Sequence, residues 1–138
     1  MKPTPAGWPR MSASLYCEDP RAEIDWLVKA FGFEVRLVVD GEGGRVEHSE
    51  LTFGDAVIMV GSAGKTGTVS PRTAGGPTGG LFLYVDDADA HLARAAAAGA
   101  TITREIATTD YGEGYWSDRG YACTDPEGHQ WYFAHRVR

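Results

Sequence analysis

The chain has 138 residues, enough for one domain or a tandem of two small modules and no more. Hydrophobic residues make up 43% and charged residues 23%, a globular balance that excludes a disordered chain. Thirteen Lys+Arg against nineteen Asp+Glu leave a net charge of −6, which gives no basic footprint for nucleic acid or an anionic membrane and suits a neutral or cationic small molecule.

No stretch approaches the ~20 apolar residues that span a bilayer, and Met1–Arg10 lacks the apolar run of a signal peptide. Cys17 and Cys123 are too few for a disulfide scaffold and too isolated for a zinc cluster. A cytoplasmic protein with reduced thiols is expected.

The first element is a short apolar strand ending at Tyr16-Cys17-Glu18-Asp19. Asp19 is placed to cap a helix that Pro20 opens, with Ile24, Leu27, Val28 and Phe31 on one apolar face and Gly32 as its stop. A β-rich stretch, Glu34–Val39, follows. Leu51–Val60 then reads as a hairpin turning on Gly54-Asp55. Residues 62–80 are rich in Gly, Ser, Thr and Pro without apolar periodicity, and read as a flexible linker. Gly64-Lys65-Thr66 within it is no phosphate loop, because Met59 stands where the motif needs its first glycine.

The order of elements then repeats. Leu83-Tyr84-Val85-Asp86-Asp87 is a second strand ending in a capping aspartate, followed by an alanine-rich helix whose buried side is expected at Leu92, Ala95 and Ala96, with Gly99 as its stop. A β-rich stretch at Thr101–Ile106 and a hairpin turning on Asp125-Pro126-Glu127-Gly128 complete the repeat. Each piece reads β-α-β-β-β: a first module at 11–61 and a second at 81–135, together one domain. The fold class is α+β.

Tandem βαβββ modules with a strand-Asp-helix opening and the terminal hairpin Tyr121-Ala122-Cys123-Thr124-Asp125-Pro126-Glu127-Gly128-His129-Gln130-Trp131-Tyr132-Phe133-Ala134 resemble the vicinal oxygen chelate superfamily of glyoxalases, extradiol dioxygenases and bleomycin-resistance proteins. The resemblance implies a curved mixed sheet around a cup, with helices outside. It also implies four metal-ligand positions, which fall on Ser12, Met59, Gly80 and Tyr132. None is a good donor for a divalent ion. The chain therefore resembles the metal-lacking, bleomycin-resistance-like members, with no metal and no cofactor expected, and with a homodimer as the implied assembly.

Strand alternation assigns the lining of the cup. Ser14, Tyr16, Met59, Phe82, Tyr84, Tyr121, Gln130 and Tyr132 are candidate ligand-binding residues, with Cys123 beside Tyr121 and Arg119 at the rim. His48 and Glu50, two apart on one strand face, are candidate acid/base residues if Glu50 sits among aromatics that raise its pKa; otherwise they face water on an edge strand. In the loop Asp110–Trp116, Tyr111 and Trp116 either cover the cup as a lid or pack on their own sheet or on a second subunit. His91, His129 and His135 are expected in surface or structural roles, and Cys123 as a packed thiol.

Two functions are compatible with this pattern. One is a metal-independent binder that sequesters an antibiotic or an aromatic or cationic metabolite. The other is a glyoxalase-like lyase, isomerase or dioxygenase with an atypical or metal-free site centred on Glu50.

Overall fold

The computed structural model describes every residue from Met1 to Arg138. The chain forms two compact units, Met1–Ser70 and Pro71–Arg138, and each has the β-α-β-β-β order read from the sequence. No helix is long and apolar enough to cross a membrane.

In the first unit β1 (Ala13–Cys17) leads into α1 (Pro20–Phe31), followed by β2 (Glu34–Asp40), β3 (Val46–Phe53) and β4 (Ala56–Ser62). The sheet order is β1-β4-β3-β2, with β1 parallel to β4 and the other pairs antiparallel. Helix α1 begins where Asp19 accepts a hydrogen bond from the Ala22 N–H at 3.1 Å and Pro20 fills the first turn, where a missing N–H is harmless. It ends at Gly32, whose φ of 87° closes the last turn. Ile24, Leu27, Ala30 and Phe31 bury one side of the helix over Leu15, Leu51, Ile58 and Val60.

Two local devices set the register on the far side of this sheet. Gly54 adopts a φ of 57° and lets Phe53 pair with Ala56 through a two-residue turn. Further along, the buried Ser49 hydroxyl donates to the Val60 carbonyl and accepts from the Val60 N–H, so a side chain bridges the ladder. A bulge between Val35 and Leu37 leaves Arg36 as an extra residue on β2. That edge strand is exposed along its whole length.

In the second unit α2 (Pro71–Ala74) precedes β5 (Gly80–Tyr84), α3 (Ala88–Ala97), β6 (Thr101–Asp110), β7 (Ser117–Thr124) and β8 (Gln130–Arg136). The order β5-β8-β7-β6 repeats that of the first sheet. Residues 62–80, expected as a linker, hold the last residue of β4, the short α2 and the first residue of β5. Arg72 of α2 reaches the Glu127 carboxylate at 3.0 Å, tying α2 to the β7–β8 hairpin.

The buried side of α3 is Ala88, His91 and Ala95 rather than Leu92, Ala95 and Ala96. His91 takes the place expected of an alkyl side chain because it has a partner below. Its Nδ1 shares a 2.7 Å hydrogen bond with the Tyr121 hydroxyl, and its ring packs 4.2 Å from that of Phe133. His135 is structural too: its Nδ1 accepts from the Ala88 N–H at 2.8 Å, at the start of α3.

The turn between β7 and β8 departs from the sequence reading, with consequences for the site. The two-residue turn expected within Asp125–Gly128 would pair Tyr121 with Tyr132. Instead Asp125 pairs with His129 around a three-residue loop closed by Gly128, whose φ is 92°. The Asp125 carboxylate organises the extra residue by accepting from the Glu127 and His129 N–H groups and from the Trp131 indole N–H. Tyr121 then pairs with Phe133 and Cys123 with Trp131, and one residue of slip turns both side chains to the helix face.

Candidate functional site

Each sheet has one face under its helix and one face away from it. On the open face of the first unit, Ser14 lies beside Met59 and Tyr16 beside Gly61. Thr52 pairs with Val57, and the alternation carries Glu50 and His48 to the same face. Ser14, Tyr16, His48, Met59 and Gly61 line a hollow of about 180 Å³. This lies below the ~300 Å³ at which ordinary ligand pockets begin, so alone it suits a fragment rather than a drug-sized guest.

His48 Nε2 lies 2.8 Å from Glu50 Oε2, and Arg36 Nε donates to Glu50 Oε1 at 2.9 Å. An acid/base role for Glu50 was conditional on an aromatic surrounding that raises its pKa. Its carboxyl is held below the usual glutamate range instead, chiefly by the His48 hydrogen bond and further by Arg36. The bulge on β2 delivers that guanidinium, which also donates to the Gly7 carbonyl at 3.0 Å and lies 4.9 Å over the Trp8 ring. Glu50 is thus an ion-paired acceptor, a poor starting point for a general base near neutrality.

The open face of the second unit is aromatic. Phe82 pairs with Tyr132 across β5 and β8, and Phe82, Tyr84 and Tyr132 are each between 36% and 51% exposed. Phe82 meets Tyr84 edge-on at 5.2 Å. Small residues make room for these rings. A side chain on Gly80 would come within 2.6 Å of the Tyr132 ring, and Ala134 with Gly120 forms a shallow row over which Tyr84 reaches from β5 to β7. There its hydroxyl donates to Asp118 Oδ2 at 2.8 Å, and the Trp116 indole N–H donates to the same oxygen at 3.2 Å. The carboxylate raises the pKa of the Tyr84 phenol.

The β6–β7 loop keeps its aromatics close to this face. Tyr111 and Tyr115 have ring centres about 6 Å from Trp116, and the Arg136 guanidinium lies 5.5 Å over the indole. Gln130, also on the open face, donates to the Thr103 hydroxyl at 3.2 Å. Tyr121, expected beside these residues, is fully buried on the opposite face against His91, and Cys123 is buried with it. Burial pushes both groups up: the Tyr121 phenol above its usual range, the Cys123 thiol to about 12. Arg119 likewise leaves the expected rim and forms a two-pronged pair with Asp89 of α3, at 2.7 and 2.8 Å.

Three residues of this geometry escaped the sequence reading: Asp118, Arg36 and Arg136. The alternation on β7 would have shown Asp118 had the hairpin register been right. Arg36 carried no signal, because its orientation depends on a bulge.

The positions that the superfamily resemblance assigns to metal ligands hold a hydroxyl (Ser12), a thioether (Met59), no side chain (Gly80) and a phenol (Tyr132). These donors do not fit a divalent ion.

Residues 11–133 match the model of the Glyoxalase/Bleomycin resistance protein/Dioxygenase superfamily. The chain belongs to that superfamily. It is 32% identical over 136 residues to an uncharacterized protein of Mycobacterium bovis, covering 94% of this chain and 85% of that one. Among solved structures it is similar to TioX from Micromonospora sp. ML1, at 32% identity and a TM-score of 0.71 over 94% of this chain and 99% of that one. It shares its fold with TnmS3, an antibiotic binding protein from Streptomyces sp. CB03234, at 21% identity and a TM-score of 0.62 over 91% of this chain and 93% of that one.

Proposed function

We propose that this superfamily member is a metal-independent binding protein that takes a small planar guest and sequesters it unchanged, acting as a homodimer in the cytoplasm. The observation that carries the reading is the exposed aromatic face of the second unit, where Phe82, Tyr84 and Tyr132 stand open beside Trp116. Aromatic pairs add ~0.5–1.5 kcal/mol each beyond area burial, so three or four rings supply useful affinity without covalent chemistry. The net charge of −6 favours neutral or cationic guests over anions. The antibiotic-binding role of TnmS3 is in keeping with such a guest, and an antibiotic or aromatic metabolite is the proposed class. Tyr111 and Gln130 of the second unit complete the proposed contact set, and Ser14, Tyr16 and Met59 are proposed as a separate contact surface on the open face of the first unit.

The test is equilibrium dialysis against a panel of planar antibiotics, with mass spectrometry of the recovered guest. Saturable binding of an unaltered guest, weakened at least tenfold by Phe82→Ala or Tyr132→Ala, supports the reading. Chemical conversion of the guest, or binding indifferent to both substitutions, rejects it.

A second reading rests on the 2.8 Å contact between His48 and Glu50: a glyoxalase-like lyase, isomerase or dioxygenase with this pair as its acid/base centre. Turnover that disappears in Glu50→Gln supports it. Full activity in that variant removes it.

A further inference from the structure

Asp118 stands out on the open face of the second sheet as a carboxylate used on one side only. It is 4% exposed. Oδ2 accepts two hydrogen bonds, from the Tyr84 hydroxyl and the Trp116 indole N–H, whereas Oδ1 is enclosed with no donor. A carboxylate has about four acceptor sites, and a buried oxygen of an ionised group without a donor is costly. Its register neighbour Arg136 does not satisfy it: that side chain bonds the Arg138 carbonyl and lies over the Trp116 ring.

The groups around Asp118 are the walls of the aromatic face. Tyr84 is half exposed, and Trp116 is 38% exposed at the end of the loop that holds Gly112 and Gly114 at positive φ. A flat molecule stacking on either ring therefore brings its edge toward the carboxylate. We propose that Asp118 Oδ1 is the acceptor for an N–H group on the edge of a planar guest, making Asp118 the residue that selects N–H-bearing heteroaromatics over rings of the same shape without a donor. This rests on the aromatic-binding reading above and narrows its ligand class. Oδ1 is enclosed, so entry requires the side chains around it to part, and Trp116, partly exposed just after two positive-φ glycines, is placed to move.

Indole and benzofuran test the proposal, because they are neutral bicyclic rings of one shape that differ in a single N–H. Both are titrated against the full chain by ligand-observed NMR. The expected result is indole binding about tenfold more tightly than benzofuran, the scale of one charge-assisted hydrogen bond. In Asp118→Asn the amide keeps one oxygen for Tyr84 and Trp116 and turns an NH₂ toward the guest. The preference should fall to about one while benzofuran binding holds. If Asp118→Asn fails to fold, the side-chain carboxyl carbon resonance of Asp118 in the wild type decides the matter: it should shift as indole is added and stay in place with benzofuran.

Equal affinities in the wild type, a preference that survives in Asp118→Asn, or an Asp118 carboxyl resonance that indole does not shift each overturn the role of Asp118 and leave aromatic binding standing. Failure of both probes to bind overturns the aromatic-binding reading, and this proposal with it.

Discussion

The Tyr121 hydroxyl and His91 Nδ1 share a 2.7 Å hydrogen bond beneath α3, on the side of the second sheet that faces its helix. Both partners are buried, so removing one leaves the other without water to replace it. Tyr121→Phe should cost about 1–3 kcal/mol of unfolding free energy, measured in urea, and leave affinity for aromatic guests unchanged. An affinity loss matching that of Tyr132→Ala would contradict the placement of Tyr121 away from the open face.

Two glycines of the second sheet should respond differently to alanine. At Gly80 the new methyl group meets the Tyr132 ring at 2.6 Å, and that partly exposed ring has room to swing away. Stability should change by less than about 1 kcal/mol, while guest affinity falls because an aromatic wall has moved. At Gly120 the methyl group meets the Phe133 carbonyl oxygen at 2.6 Å and Ala134 Cβ at 2.9 Å, inside the β7–β8 ladder. Backbone cannot step aside cheaply, and Gly120→Ala should cost about 1–3 kcal/mol. Thermal unfolding and a binding titration on both variants separate the two effects.

Glu50 predicts a pH dependence. Its folded-state pKa lies below the ordinary value of 4.5, first through the His48 hydrogen bond and then through Arg36. A depressed carboxyl stabilises the fold above its unfolded pKa, and that contribution is lost as pH falls through the folded value. Wild type should therefore be more stable than Glu50→Gln at neutral pH, with the gap closing below about pH 4.5. A gap that stays constant down to acid unfolding would show that the ion pair contributes nothing.

Buried Tyr121 and Cys123 set the behaviour at the alkaline end. Their pKa values are raised by burial, the thiol from 9.0 to about 12, so the folded chain resists an ionisation that the unfolded chain undergoes freely. Stability from these groups is complete below their unfolded values and drains away as pH rises toward the folded ones. Above about pH 9 the unfolding free energy should decline by up to ~1.4 kcal/mol per pH unit for each group. Cys123→Ala should flatten the first part of that decline, as read from urea unfolding at a series of pH values.

Much of this molecule was legible in its residues because local chemistry decided it. Asp19-Pro20 and Gly32 bound one helix, Asp87 starts the other, and Gly54-Asp55 turns the first hairpin, each through interactions within a few residues. From these the repeated β-α-β-β-β order follows, as does the open face of the first sheet with Ser14, Tyr16, His48, Glu50 and Met59. What remained depended on which turn geometry one carboxylate selects and on where a paired strand bulges. A three-residue loop held by the Asp125 carboxylate shifted β7 by one position, sent Tyr121 and Cys123 under α3, and put Asp118 on the aromatic face. A bulge on β2 supplied Glu50 with the Arg36 guanidinium that lowers its pKa. Hydrophobic spacing and capping residues determined which elements form. The register of β7 against β8 and the reach of Arg36, which alternation turns into the choice of face for each side chain, were decided only in the folded chain, by the carboxylate bonds at one turn and by a bulge between paired strands.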